Sequence, residues 1–305
     1  MKKLLLLVML GLFYGSRLSA AEFPGPLVKG EWLANNIDEV VILDVRKNIK
    51  SFADGHIPGA ILVDVKEIRI EREINDRNMT RMRPDPASFE KFMRAHGINS
   101  DSMVVLTHRG KTSGQVTGAA RLYWQMKFFG FDRVALLDGG NPSWVAALED
   151  LVTEVDTVTP GNYVVGDEKP EMVATMEQVR SAMQDDAVTL IDTRELRYHV
   201  GLEKKNYVYA HGHIPGSRNM PYKFLNPMKG GNRYFDRESY LGLLDSLRID
   251  TGDSLILYCN SGYEASSAWF VLREILGKQD VKLYDGSLHQ WTQYETNPMT
   301  TRLAD

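Results

Sequence analysis

The stretch "SLILYCNSGYEASSAWFVL", Ser254 to Leu272, decides the fold. An apolar, β-like run leads through a glycine-containing loop into a segment with apolar residues at helical spacing. Such a strand–loop–helix unit belongs to a sheet that helices cover. The blocks around it occur twice in the chain. "VVILDVR" (Val40–Arg46) recurs as "VTLIDTR" (Val188–Arg194), and "GHIPGA" (Gly55–Ala60) as "GHIPGS" (Gly212–Ser217). "SFEKFMRAHGINSDSMVVLTHRG" pairs with "SYLGLLDSLRIDTGDSLILYCNS", and "RVALLDGGNPSW" (Arg133–Trp144) with "DVKLYDGSLHQW" (Asp280–Trp291). Matched blocks in one order and at near-constant offsets are the mark of a duplication. In each half, near-continuous apolar strands alternate with helical patterns. This predicts a mostly parallel sheet covered by helices on both faces, an α/β fold.

At 305 residues the chain has room for two domains. The expected division is a signal peptide over 1–21, a first domain over 22–150, a linker over 151–172 and a second domain over 173–305. Pro160, Gly161, Gly166 and Pro170 mark the linker. The opening "MKKLLLLVMLGLFYGSRLSAAE" has two lysines, an apolar run from Leu4 to Phe13 and small residues around Ala21. That layout is a secretory signal cleaved near Ala21, and the run is about half the roughly 20 residues that a membrane span requires. The mature chain is expected in a periplasm without a stable membrane anchor. A formal net charge of −4 gives no reason to expect a nucleic-acid partner.

The chain has one cysteine, Cys259, so no internal disulfide is open to it. It directly follows "SLILY", and ligands of parallel sheets bind beyond the carboxyl ends of the strands. In the loop Cys259, Asn260, Ser261, Gly262, Tyr263, Glu264 and Ala265, the glycine permits a left-handed backbone and successive N–H groups can form an anion nest. A helix starting near Ala265 would add its positive end. Cysteines so placed fall from about 8.5 to roughly 3.5–7.5 in pKa. The bland alternative is a small buried hydrophobe at a strand end.

The duplicated "LDVR…GHIPGA" and "IDTR…GHIPGS" blocks, the paired "DGG…W" and "DGS…W" and the cysteine loop resemble tandem-domain rhodaneses, which include thiosulfate and 3-mercaptopyruvate sulfurtransferases. The resemblance implies two rhodanese-like domains, the second catalytic and the first not. It also implies ping-pong chemistry. The thiolate takes a sulfane sulfur from a small donor, becomes a persulfide, and passes the sulfur to cyanide or a thiol. No metal or organic cofactor is implied. A protein persulfide partner, or a carrier module with negligible turnover, fits the same residues.

The repeat supplies an internal control. Where the second half has Cys259 the first has His108, which cannot carry sulfane sulfur, so that half is expected to be silent and to wall the cleft. His56 and His213 occur in both halves and read as turn or core residues. The pairs Asp44/Asp192, Asp138/Asp285 and Trp144/Trp291 follow the same logic. Arg46 and Arg194 are matched too, which suggests a structural ion pair. The resemblance, however, places the arginine of the catalytic "DxR" block near an anionic substrate, making Arg194 a candidate substrate contact and Arg197 a second one.

Between Asp192 and His213 the second half is nine residues longer than the first, over a segment with Arg197, Lys204, Lys205 and three tyrosines. It reads as a solvated loop or as a rim over the thiol. The basic "IRIEREINDRNMTRMRPDP" of the first half is a candidate to face the same cleft. The loop departs from the family's patterns at Asn260, Tyr263 and above all Glu264. That carboxylate either caps the helix or repels an anionic donor and raises the thiol pKa. High activity with thiosulfate is therefore in question. A cysteine phosphatase would need an arginine where this chain has Ala265.

Overall fold

The computed structural model describes residues 22–301 except 75, 227–231, 251 and 253. The signal-peptide expectation over residues 1–21 lies outside the described residues. Eleven strands are present among them: β1 (Leu27–Val28), β2 (Val41–Arg46), β3 (Ile61–Asp64), β4 (Ile70–Ile74), β5 (Arg77–Met82), β6 (Val104–Thr107), β7 (Val134–Leu137), β8 (Val188–Asp192), β9 (Arg218–Asn219), β10 (Ser254–Tyr258) and β11 (Val281–Leu283). The first half forms the sheet β1-β7-β6-β2-β3 and the second the sheet β11-β10-β8-β9. Every pairing within both sheets is parallel. Strands β6 and β7 are buried at every position, as a sheet covered on both faces requires.

The second sheet repeats the order of the first. The counterpart of β1 is reduced to a parallel bridge between Val173 and Leu283. The matched blocks fall on matched elements. Asp44 and Arg46 form a buried ion pair near the end of β2, and Asp192 and Arg194 form its copy at β8. His56 Nδ1 and Nε2 lie 2.9 Å from the carbonyls of Phe52 and Glu154. His213 Nδ1 lies 2.7 Å from the carbonyl of His199. Both histidines therefore hold turns. The segment between the halves runs along the first domain, where Gly161 N–H donates to Arg94 O at 2.8 Å and Tyr163 N–H to Ile98 O at 3.0 Å.

The two domains share packing. The helix Ser113–Phe128 follows β6 and the helix Tyr263–Phe270 follows β10, and they lie against each other. Tyr123 meets Phe270 edge-on at 4.8 Å, and Ser267 Oγ donates to Thr117 Oγ1 at 3.1 Å. Tyr263 Oη donates to Gly114 O at 3.2 Å; a Cβ at Gly118 would stand 3.0 Å from that hydroxyl. One apolar core runs through both halves, with Leu106, Ala119 and Trp124 on one side and Leu257, Ala268 and Phe270 on the other. Fully burying each large side chain of this kind contributes roughly 1.5–3 kcal/mol. The seam is thus as dry as a domain interior, and it sets the first domain against the cysteine loop.

One element has no copy among the described residues of the second half. Strands β4 and β5 form an antiparallel hairpin that leans on the second domain. Arg81 stacks over Tyr207 at 4.1 Å and Arg77 over Tyr294 at 4.6 Å. Arg83 N–H donates to Asp285 Oδ2 at 3.0 Å.

Candidate active site

Cys259 follows β10 directly, and the chain then turns through Gly262, whose φ of 67° and ψ of 0° are left-handed. A side chain there is excluded twice. The backbone disfavours it, and a Cβ would stand 2.7 Å from Asp285 Oδ1. The helix begins at Tyr263, two residues before the position expected from sequence, because the glycine completes the turn early. The amides of Ser261, Glu264 and Ala265 all donate to the Cys259 sulfur. These three N–H groups are turned inward to the sulfur.

Two residues that sequence reasoning passed over hold this loop. Ser287 Oγ accepts from Cys259 N–H at 3.1 Å and from Gly262 N–H at 3.0 Å, and donates to Tyr284 O at 2.8 Å. Ser287 has a positive φ of 47°, and the matching residue of the first half is Gly140, with φ 63°. The contrast between "DGG" and "DGS" carried that signal. Arg121, fully buried in the helix Ser113–Phe128, pairs with Asp285 at 2.6 Å and donates to Gly262 O at 3.2 Å. Burial pushes the Asp285 carboxyl up, but Arg121 and Arg83 more than offset it and hold it below the usual range.

The thiol differs from expectation. Cys259 has 0% exposure. Burial first, and the nearby Glu264 second, push its pKa up from 9.0 to about 12 despite the three amides. The expected depression to a resting thiolate is corrected by that dehydration and that carboxylate. Glu264 makes no capping bond, since Gly262 is the N-cap residue and no side chain caps it. It accepts the hydrogen bond of the Cys259 thiol, and Asn260 Nδ2 approaches its Oε2 at 3.5 Å. Burial raises the Glu264 pKa above its ordinary value, against the pull of the thiol, Arg194, Lys205 and Arg69.

Above the loop is a cavity of about 570 Å³ between the domains, lined by Ser261, Tyr263 and Glu264 of the loop itself. Five cationic side chains line it against three carboxylates: Lys47, Lys66, Arg69 and Arg81 from the first domain, and Lys205 from the second. Arg69 donates to Ser261 Oγ at 2.7 Å and lies 4.5 Å over the Tyr263 ring. Its buried Nε has no hydrogen-bond partner among the described residues. Lys47 sits 4.8 Å from the same ring, and its pKa is lowered by burial and then by Arg69. Lys205 and Tyr207 come from the nine-residue insertion, which is therefore a rim over the loop.

The two arginines put forward from sequence as substrate contacts are elsewhere. Arg194 is buried and committed to Asp192, with Nε 2.8 Å from Oδ1 and Nη2 2.5 Å from Oδ2, and it donates to Gly212 O at 2.8 Å. Arg197 is 56% exposed, pairs with Glu203 at 2.7 Å and does not line the cavity. Neither expected arginine is placed at the cavity, whose cationic lining is Lys47, Lys66, Arg69, Arg81 and Lys205. Arg69 and Arg81 could be suspected only from a basic run, because nothing local says which side of such a segment meets another domain. His108 occupies the position matching Cys259, after β6. It is buried, its Nδ1 accepts from Gly110 N–H at 3.0 Å, and burial lowers its pKa to about 4. Among the described residues no group of three or more His, Cys, Asp or Glu is placed to hold a metal ion.

Comparison with known proteins agrees with the geometry. The model of the rhodanese-like domain matches residues 29–147 and again 175–294. A Saccharopolyspora erythraea protein provisionally named thiosulfate sulfurtransferase is 32% identical over 88% of this chain and 92% of its own. The sulfur carrier protein TtuD of Thermus thermophilus is 30% identical over 88% of this chain and 94% of its own. Among solved structures, EanB as a cysteine persulfide with ergothioneine superposes with a TM-score of 0.79 at 22% identity, over 92% of this chain and 71% of that one. At that identity the likeness concerns the fold.

Proposed function

The chain belongs to the rhodanese family, with two tandem rhodanese-like domains, and from that premise we propose that it is a sulfurtransferase working through a persulfide on Cys259. One observation carries the reading: three loop amides converge on a single sulfur beneath a cation-rich cavity. An anionic sulfane donor such as thiosulfate enters between Arg69, Lys47, Arg81 and Lys205. The cysteine sulfur attacks the outer donor sulfur, and the persulfide anion that forms is held by the amides. Cyanide or a thiol then removes the sulfur. The cations stand outside the loop, so Glu264 does not rule out an anionic donor. Arg69 is the residue best placed to orient it, because it lines the cavity and holds Ser261 of the cysteine loop. Export to the periplasm is part of the proposal and rests on the N-terminal sequence alone.

A second reading, a persulfide carrier with little turnover, is favoured by the thiol's pKa of about 12, since a rarely ionised sulfur reacts slowly. Intact mass after incubation with thiosulfate or 3-mercaptopyruvate tests the common core of both. Wild type gains one sulfur atom and Cys259→Ser gains none; equal masses overturn the persulfide. Steady-state thiocyanate production then separates enzyme from carrier.

A further inference from the structure

Glu264 occupies a place where a carboxylate is hard to explain as mere structure. It is in the first turn of the helix, makes no cap, borders the cavity and meets the one thiol in the chain. Cys259 has no exposed surface, so a proton leaving it has no water to receive it. A thiolate formed there beside an ionised Glu264 would also set two anions together in a dry site, which is strongly disfavoured. The arrangement works if the proton moves between the two groups, because the site then holds a single negative charge at every stage.

We propose that Glu264 is a catalytic residue, accepting the Cys259 proton as the sulfur attacks the donor and returning it when the thiol is regenerated. The inference rests on the reading of Cys259 as the sulfur acceptor. In the first half-reaction the S–H bond breaks and its proton passes to the carboxylate. Its electron pair forms the bond from Sγ to the outer sulfur of thiosulfate, whose S–S bond breaks with its pair leaving on sulfite. A neutral thiol beside a carboxylate becomes a persulfide anion beside a carboxylic acid. In the second half-reaction cyanide bonds to the outer persulfide sulfur and departs as thiocyanate. The Sγ–S pair returns to Sγ, which recovers its proton from Glu264.

The surroundings fit a carboxylate that must change state. Arg194 faces it from the end of β8, Lys205 and Tyr207 from the insertion, and Arg69 and Lys47 from the first domain. Tyr222 and the loop's own Tyr263 complete the shell. The cations favour the ionised form and burial the neutral one, and burial prevails, so this carboxylate takes up a proton more readily than an exposed one.

Glu264→Gln tests the assignment, with two readouts: persulfide formation from thiosulfate by intact mass, and alkylation of the single thiol by iodoacetamide, each across pH. A positioned base contributes on the order of 10²–10⁴ in rate. Both reactions are therefore expected to slow at least about tenfold at neutral pH, and their pH midpoints to rise, with Glu264→Asp recovering part of the rate at the wild-type midpoint. If the carboxylate merely repels, Glu264→Gln reacts faster at neutral pH with lowered midpoints, and the proposal is overturned. Should the glutamine variant fail to fold by circular dichroism, Glu264→Asp decides alone: a retained midpoint supports the proposal and a shifted one refutes it. If wild type takes up no sulfur, the persulfide reading fails by itself, and the alkylation profile still judges Glu264.

Discussion

Replacing Ser287 by alanine removes a single oxygen, and the structure says what that oxygen holds. It accepts from the amides of Cys259 and Gly262, the two ends of the turn that aims the nest at the sulfur. Alanine has the same difficulty as serine at a φ of 47°, so the backbone strain cancels in the comparison. Tyr284 O keeps the bond from Ser287 N–H at 3.1 Å, so no carbonyl is orphaned. What remains is two buried N–H groups without partners, at about 1–3 kcal/mol each. Partial relaxation of the loop brings the expected loss to about 3 kcal/mol, concentrated locally. Such a loss raises the population of the open loop about 100-fold. The assay is the alkylation rate of Cys259 by iodoacetamide at fixed pH, read by intact mass, with circular dichroism as the check on the remaining fold. The lone cysteine makes the label unambiguous. A rate within about threefold of wild type would refute the reasoning, because the nest would then not depend on the Ser287 pin.

Arg69→Met keeps the stem over Tyr263 and removes the guanidinium; the KM for thiosulfate should rise about tenfold with kcat nearly unchanged, the result of one lost charge contact of about 1.4 kcal/mol. Arg197→Ala, made in parallel, should leave both constants alone, and an equal effect of the two would return Arg197 to the site. Stability should depend on the cysteine at high pH. Its folded pKa of about 12 stands above the ordinary 9.0, so the contribution is present below 9.0 and is lost as pH rises through about 12. Chemical denaturation of wild type and Cys259→Ser over that window should converge or cross, and parallel curves would contradict a buried neutral thiol.

Much of the fold was legible because its determinants are local and duplicated. The apolar runs ending at Asp44, Thr107 and Leu137 recur at Asp192, Tyr258 and Leu283, and each became a strand of a parallel sheet. The internal control also held for His56 and His213, which hold turns in both halves. The cysteine loop was readable from its position after a strand and from Gly262. The charge state of the thiol was not, because the same loop geometry gives opposite pKa directions in a wet and a dry setting. Whether Glu264 would cap the helix or turn to the sulfur likewise depends on what lies above the loop.

The division follows the range of the forces involved. Strand and helix order, the duplication, the histidine that stands in one half where the other has Cys259, and the place of that cysteine at a strand end are properties of short segments. They could be derived from the chain by itself. The cation set over the thiol, the dehydration of Cys259 and the grip of Arg121 and Ser287 on the loop join residues far apart in sequence. Only the tertiary structure decides those, because burial and charge act through space and belong to no single segment.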